Sequence, residues 1–154
     1  MFVTDLEFLK TPCQPVTSTK EANKIIAELW RVVRKIQARG LAANQIGIQK
    51  RICVVHGFKP VALVNPVITF SSMATEVLKE GCLSLPGIVV EVERPRFVEV
   101  MADNYKEPIK FDIEKLFVIN GETRALRHFD SFSAQHEIDH LNGILITDYI
   151  KEEV

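Results

Sequence analysis

The apolar positions of this chain change period twice, and each change marks a new kind of element. After the turn-rich TPCQPVTSTK, Ala22, Ile26, Leu29, Val33 and Ile36 recur at alternating steps of four and three, the spacing of one helix face. Ser18 and Glu21 precede most of that stripe as a capping box, in which each side chain satisfies an orphan amide of the first turn. The spacing predicts a helix from Ser18 to about Arg39 with Gly40 as its stop, and its role reads as scaffold. From Arg51 to about Ala102 the pattern becomes short β-branched runs, ICVVH, VALVNPVITF, IVVEVE and FVEVM. Gly57-Phe58-Lys59-Pro60, Gly81 and Arg94-Pro95 punctuate them, which predicts an antiparallel region. Farther on, FDIEKLFVI reads as one more strand and Asn120-Gly121 as a turn. Helical spacing then returns through Ala125, Phe129, Phe132, His136 and His140, predicting a helix from about Thr123 to Asn142 closed by Asn142-Gly143. No repeat, low-complexity tract or linker interrupts this order, so residues 1–154 read as a single α+β domain.

His136-Glu137-Ile138-Asp139-His140 is an H-E-x-x-H pattern inside the second helix. Positions four apart stack one turn above each other, so two imidazoles can grip one ion. Phe129 and Phe132 share that face, which turns the pair inward, where an unpaired imidazole is costly and a ligated one is not. The competing reading is two core histidines bonded to protein groups. Catalytic zinc-like centres take three protein ligands and keep a fourth position for water, so a third ligand is needed. Cys82 is the best candidate, because it sits in Glu80-Gly81-Cys82-Leu83-Ser84-Leu85-Pro86-Gly87 between predicted strands, with Gly81 admitting a close backbone approach. Cys53, in an apolar strand, and Cys13, between two prolines, read as small buried or incidental thiols.

Composition narrows the partners. The net charge is −1, with 19 Lys+Arg interspersed among 20 Asp+Glu, so no basic field is available for nucleic acid or anionic lipid. Three cysteines without framework spacing leave at least one thiol unpaired, which favours a reducing, cytoplasm-like compartment. Asp5 and Glu7 stand where a signal peptide carries basic residues, and no apolar run approaches the ~18 residues of a spanning helix. Neither export nor a membrane partner is expected.

Three separated segments resemble, in order, the three motifs of the peptide deformylase family: Gly40-Leu41-Ala42-Ala43-Asn44-Gln45-Ile46-Gly47, then Glu80 to Pro86, then QHEIDHLNG from Gln135 to Gly143. The opening LKTPCQPVT, the VNPVI strand and LITDYI also resemble the family at corresponding places. The resemblance implies antiparallel β-sheets packed around a central helix that carries the H-E-x-x-H motif. It implies one divalent ion held by Cys82, His136 and His140, usually ferrous iron in the family, with zinc, nickel or cobalt able to replace it. The substrate implied is the N-terminal formamide of nascent formylmethionyl peptides, and the chemistry of the residues agrees. A divalent ion brings the pKa of water towards ~7, and Glu137 beside a ligand can take that proton and return it to the departing amine. By family analogy the side-chain amide of Gln45 and the backbone N–H of Leu83 stabilise the oxyanion, and Glu80 and Arg94 pair to fix the cysteine loop. Asp139 reads as an outer support, accepting a bond from a ligand imidazole or the backbone, or as a solvent-facing helix charge. Phe132 and Phe129 are placed against the methionine side chain, with Ser133 in the same pocket.

The sequence departs from the family in its first motif, where Ala38 replaces a usual glycine and Arg39 follows it. Substrate main chain passes beside this segment in the family, so Arg39 and Gly40 are expected to line its path. Only Lys151 to Val154 follow LITDYI, so the C-terminal helix that many bacterial members can use to dock on the ribosome is not expected. Such short forms occur in bacteria, organelles and phage-infected hosts alike. Two other readings compete. An ordinary H-E-x-x-H peptidase takes its third ligand downstream, where Glu152 and Glu153 stand but no histidine follows. An inactive metal-binding protein would need neither Glu137 nor Gln45.

Overall fold

Strand β2 (Ile52–Val55) is apolar at every position because both of its faces are covered. It is the middle strand of an antiparallel sheet with β1 (Gly40–Ala42) and β3 (Val61–Val64). On one face, Ile52 and Val54 pack with Ile25, Leu29 and Val33 of helix α2 (Thr19–Ile36). On the other, Cys53 and Val55 pack with Ala134, Ile138 and Leu141 of helix α3 (Asp130–Leu141). Fully buried side chains such as Leu29, Ile52 and Leu141 each contribute ~1.5–3 kcal/mol on burial. The computed structural model that shows this describes residues 1–151. The alternative ligands Glu152 and Glu153, and most of the expected short C-terminus, lie outside the described residues.

The far side of α3 is closed by a second antiparallel sheet, β4 (Val67–Ser71), β7 (Val98–Met101) and β8 (Ile109–Phe111), in the order β4-β7-β8. Val98, Val100 and Phe111 share a core cluster with the apolar residues of α3. A long hairpin, β5 (Thr75–Cys82) with β6 (Leu85–Pro95), and a short one, β9 (Glu114–Ile119) with β10 (Glu122–Arg127), complete the strands. A short helix α1 (Leu6–Lys10) and the 3-10 turn Ile146–Tyr149 close the cluster behind β6 through Leu9, Leu145 and Ile146. The architecture is therefore α+β, with antiparallel sheets around a central helix bearing the H-E-x-x-H motif. Among the described residues no helix is long and apolar enough to cross a membrane.

Several boundaries differ from the sequence expectation. Helix α2 stops at Ile36, where Gln37 takes the left-handed conformation (φ 56°), and Gly40 instead opens β1. Ser18 caps the helix by accepting from the Glu21 amide at 3.3 Å, while the Glu21 carboxylate turns to Lys50 at 3.6 Å. Ile25 replaces Ile26 at the buried centre of the stripe, and Ile36 is exposed. Helix α3 begins only at Asp130: Thr123 to Arg127, with Ala125, belong to β10. Asn120 (φ 53°) and Gly121 (φ 81°) form a two-residue hairpin turn there, and β-pairing to Glu114–Val118 outweighs the helical spacing. FDIEKLFVI is split between β8 and β9 at Asp112-Ile113.

Gly143, just past α3, has φ +75°, and a Cβ there would collide with the backbone carbonyl of Lys10. Gly143→Ala should therefore lower stability by at least about 2 kcal/mol in denaturant titration, the left-handed penalty plus the clash.

Candidate metal centre

Three elements from different parts of the chain meet at α3. Cys82 ends β5 just before the tight Leu83-Ser84 turn, His136 and His140 sit one turn apart on α3, and Gln45 projects from the 3-10 helix Ala43–Ile46 after β1. Cys82 Sγ lies 3.3 Å from His140 Nε2, which lies 3.2 Å from His136 Nε2. The three candidate ligand atoms are all within 4.8 Å of one another. Gly81 is not needed for close approach, since a Cβ there would meet only the Ile88 carbonyl at 3.8 Å. It stands at the register shift that ends the β5–β6 ladder.

The donor set fits a divalent ion. Glu80 can only accept, so the 3.0 Å contact from His136 Nδ1 places a proton on Nδ1 and turns Nε2 towards Cys82 and His140. Burial pushes His140 down, to about 3, and the charges of His136 and Arg94 add to this, so its imidazole is the neutral, ligating form. Burial also opposes charge on His136, yet bonds to Cys82 and Glu80 hold its imidazole up at about 10, so a bound ion would take the place of the proton on Nε2. The site thus stabilises one positive charge among a thiol and two imidazoles, a combination suited to zinc-like or ferrous ions.

Glu137 lies at β1. A Cβ on Gly40 would come within 2.6 Å of Glu137 Oε1, so the glycine is what admits the carboxylate. Burial raises the Glu137 carboxyl to about 7, with Glu80 and Asp139 adding to the rise against the opposing charges of His136 and Arg94. Its Oε2 is buried without a protein partner, free to receive a proton. Gln45 is oriented from its other end: its Oε1 accepts from the Ala42 amide at 3.0 Å, which directs Nε2 towards Cys82 Sγ at 3.6 Å and Ser84 Oγ at 3.4 Å.

Behind the ligands, buried Arg94 forks onto Glu80 at 2.5 and 2.9 Å and reaches Asp139 Oδ2 at 2.8 Å. Burial would push Glu80 up, but bonds from Arg94 and His136 hold it at about 2, so it stays ionised. Asp139 accepts from Arg94 and from Tyr149 rather than from a ligand imidazole or the backbone, and it does not face open solvent.

In front of the ligands opens a cleft of about 690 Å³ lined by Arg39, Gly40, Gln45, Cys82, Leu83, Phe129, Phe132, Ser133, His136 and Glu137, among others. A match to the polypeptide deformylase family model spans residues 2–154. The chain belongs to the peptide deformylase family. The peptide deformylase of Thermotoga neapolitana is 41% identical over 147 residues, covering 93% of this chain and 81% of that protein. Among solved structures, the peptide deformylase of Thermotoga maritima superposes with a TM-score of 0.75 at 35% identity, covering 94% of this chain and 91% of that one. A probable peptide deformylase from synechococcus phage S-SSM7 gives 0.74 at 31% identity, covering 97% and 99%. As a peptide deformylase, the chain is a hydrolase of N-terminal protein processing.

The expected site residues thus gather in one place, with differences of detail. Phe132 is buried on α3, but Phe129 precedes the helix as its N-cap, where the Arg39 guanidinium covers its ring at 4.2 Å. The Leu83 side chain is exposed at the turn. Cys13 and Cys53 are buried, and burial raises both thiols, Cys13 to about 11. Ser84, Asn44 and Tyr149 were not legible as site residues. Asn44 donates to the His140 carbonyl at 2.8 Å, and its place beside Gln45 in the first motif was the only hint.

Gly40→Ala should force the Glu137 carboxylate out of place while leaving Cys82, His136 and His140 untouched. The expected result is full metal content by elemental analysis with turnover reduced about tenfold or more, of the order seen when a reacting group is misplaced.

Proposed function

We propose that residues 1–154 act as one catalytic unit that hydrolyses the N-terminal formamide of newly made formylmethionyl polypeptides and releases formate. The observation that carries this reading is the convergence, in a single cleft, of a thiol and two imidazoles with a buried carboxylate and a fixed side-chain amide. Cys82, His136 and His140 would hold the ion, with Fe2+ as the native occupant and Zn2+, Ni2+ or Co2+ as functional replacements. A bound divalent ion supplies Lewis acidity that acidifies water and polarises a carbonyl.

The protein's own groups do the rest. Glu137, whose carboxyl is raised to about 7 by burial, takes a proton from the attacking water and delivers it to the departing amine. The Gln45 Nε2–H and the Leu83 backbone N–H donate to the formyl oxygen as negative charge develops on it. Phe132, Phe129 and Ser133 receive the methionine side chain, whose burial contributes ~1.5–3 kcal/mol, while Arg39 and Gly40 flank the peptide main chain. The fork of Arg94 on Glu80, with the bonds from Arg94 to Asp139 and from His136 to Glu80, ties β5, and with it Cys82, to α3. The compartment is a reducing, cytoplasm-like interior, which suits a partly buried cysteine ligand. The partner is the nascent peptide, and nothing in the surface charge favours nucleic acid or a membrane. An ordinary H-E-x-x-H peptidase is disfavoured because the third donor, Cys82, comes from a strand upstream of the helix.

Incubation with formyl-Met-Ala beside an internal peptide should yield formate without backbone cleavage, and cleavage without formate would sink the assignment. In the same assay Glu137→Gln, with metal retained, should lose ~10²-fold or more in kcat. Gln45→Leu should lose ~10²–10³-fold, again in kcat more than in KM. Near-wild-type turnover by folded, metal-loaded Glu137→Gln would remove it as the base.

A further inference from the structure

We propose that Tyr149 is a positioning residue for the metal centre, acting through Asp139, Arg94 and Glu80 on the ligand His136. The proposal rests on the reading of Cys82, His136 and His140 as ligands.

The chain of contacts is continuous, and its directions follow from which groups can donate. His136 gives its Nδ1–H to Glu80 Oε2 at 3.0 Å, which aims Nε2 at the other two ligand atoms. Glu80 is gripped at both oxygens by Arg94 Nε and Nη2. Arg94 Nη1 remains, and it donates to Asp139 Oδ2 at 2.8 Å. The Tyr149 hydroxyl donates to that same oxygen at 2.8 Å, and the Arg94 guanidinium stands 5.0 Å from the Tyr149 ring.

Two carboxylates therefore share one guanidinium that is 2% exposed, at the level of a core side chain. In so dry a setting they compete for its protons, and any shift of Arg94 towards Asp139 is a shift away from Glu80. The Tyr149 hydroxyl is placed to blunt that competition, because it satisfies part of Asp139 with a neutral donor. Its ring simultaneously holds Arg94 from below. Tyr149 also packs against the cluster of Leu85, Val90, Val92, Leu145 and Ile146 that Cys82 joins. One residue from the turn after α3 thus bears on the support of ligands from two elements, β5 and α3. A bond that orients a ligand imidazole bears on metal affinity.

Tyr149→Phe keeps the ring and removes the bond donated to Asp139, together with the longer 3.4 Å bond that the hydroxyl accepts from Arg94 Nη1. Loss of an outer partner that touches a ligand costs ~10–100-fold in metal affinity, and for this more remote bond the lower end, about tenfold, is expected. The readout is the Co2+ dissociation constant of metal-free protein, measured by competition with a chromophoric chelator, alongside thermal unfolding of the same metal-free samples. Asp139→Asn, nearly isosteric, is the second background: it removes the competing anion, so Tyr149→Phe should weaken cobalt binding less there than in the wild type. Weaker binding by Tyr149→Phe alone, with that loss diminished in the Asp139→Asn background and metal-free unfolding temperatures near wild type, supports the proposal. Unchanged or tighter binding in folded Tyr149→Phe, or the same loss in both backgrounds, overturns it. Wild-type protein that failed to bind cobalt would overturn the ligand reading itself, whereas formate release from formyl-Met-Ala tests the reaction separately.

Discussion

The burial of helix α3 is the constraint around which the other elements are arranged. Nine of its twelve residues are buried, and these include Asp130, Ser131, Gln135, Glu137 and His140, which no ordinary core helix would carry inward together. A buried polar group without a partner costs several times what a bonded one contributes, so every neighbour of α3 has to answer one of these side chains. Gln135 is met by the Pro95 carbonyl at 2.9 Å and by Ser131. Asp130 receives the Phe58 amide at 2.8 Å, and His136 is met by Glu80. Two glycines belong to the same accommodation. Gly40 clears space for the Glu137 carboxylate and Gly57 for that of Asp130, so two backbone positions on the β1–β2–β3 side are set by acids on the helix.

Charge is distributed to match. Glu80, Arg94 and Asp139 make a buried set whose members lie on β5, β6 and α3, so this ion-pair network is also a mechanical tie between the long hairpin and the central helix. Buried ion pairs of this kind contribute little net stability, because desolvation offsets attraction, but breaking one leaves an uncompensated charge. Their value lies in fixing where Cys82 stands relative to His136 and His140. The same network keeps Glu80 ionised, which sets the tautomer of His136, while the drier Glu137 is left near neutrality. Two carboxylates in one site are thereby separated into a permanent anion that orients and a titratable group that exchanges protons.

The reactive cleft follows from the same packing. Its floor is α3, one wall is β5 and the Leu83 turn, and the other is the Arg39–Gln45 segment around β1. Since these belong to different sheets, the cleft exists only when the β1–β2–β3 sheet and the long hairpin have docked on the helix. The walls are drawn from Ala38 to Glu137, within the 2–154 span that matches the peptide deformylase family. Where this chain departs from the family pattern, at Ala38 and Arg39, the change lies at the mouth, with Arg39 stacked over Phe129, and leaves the ligand set intact.

His136, Glu137 and His140 were legible from the sequence because their relation is local: four residues of α-helix bring two imidazoles together in any fold. Most antiparallel strands from Ile52 to Met101 were legible for the same reason, as was the Asn120-Gly121 turn, but β5, which ends in Cys82, was not among the runs read as strands. Cys82 was recoverable as a candidate from its setting and confirmed as a neighbour only by three-dimensional proximity. Where helix α3 begins could not be read locally, because Thr123 to Arg127 satisfy helical spacing yet pair with β9, and a strand partner is not written in the segment itself. The stop of α2 went to Gln37 and Gly40 was spent on Glu137, a contact across 97 positions that no window of the sequence displays. The partners of Asp139, the orientation of Gln45 and the place of Tyr149 were likewise decided by tertiary structure. Each depends on which groups burial leaves facing one another, and that is a property of the packed chain rather than of any segment.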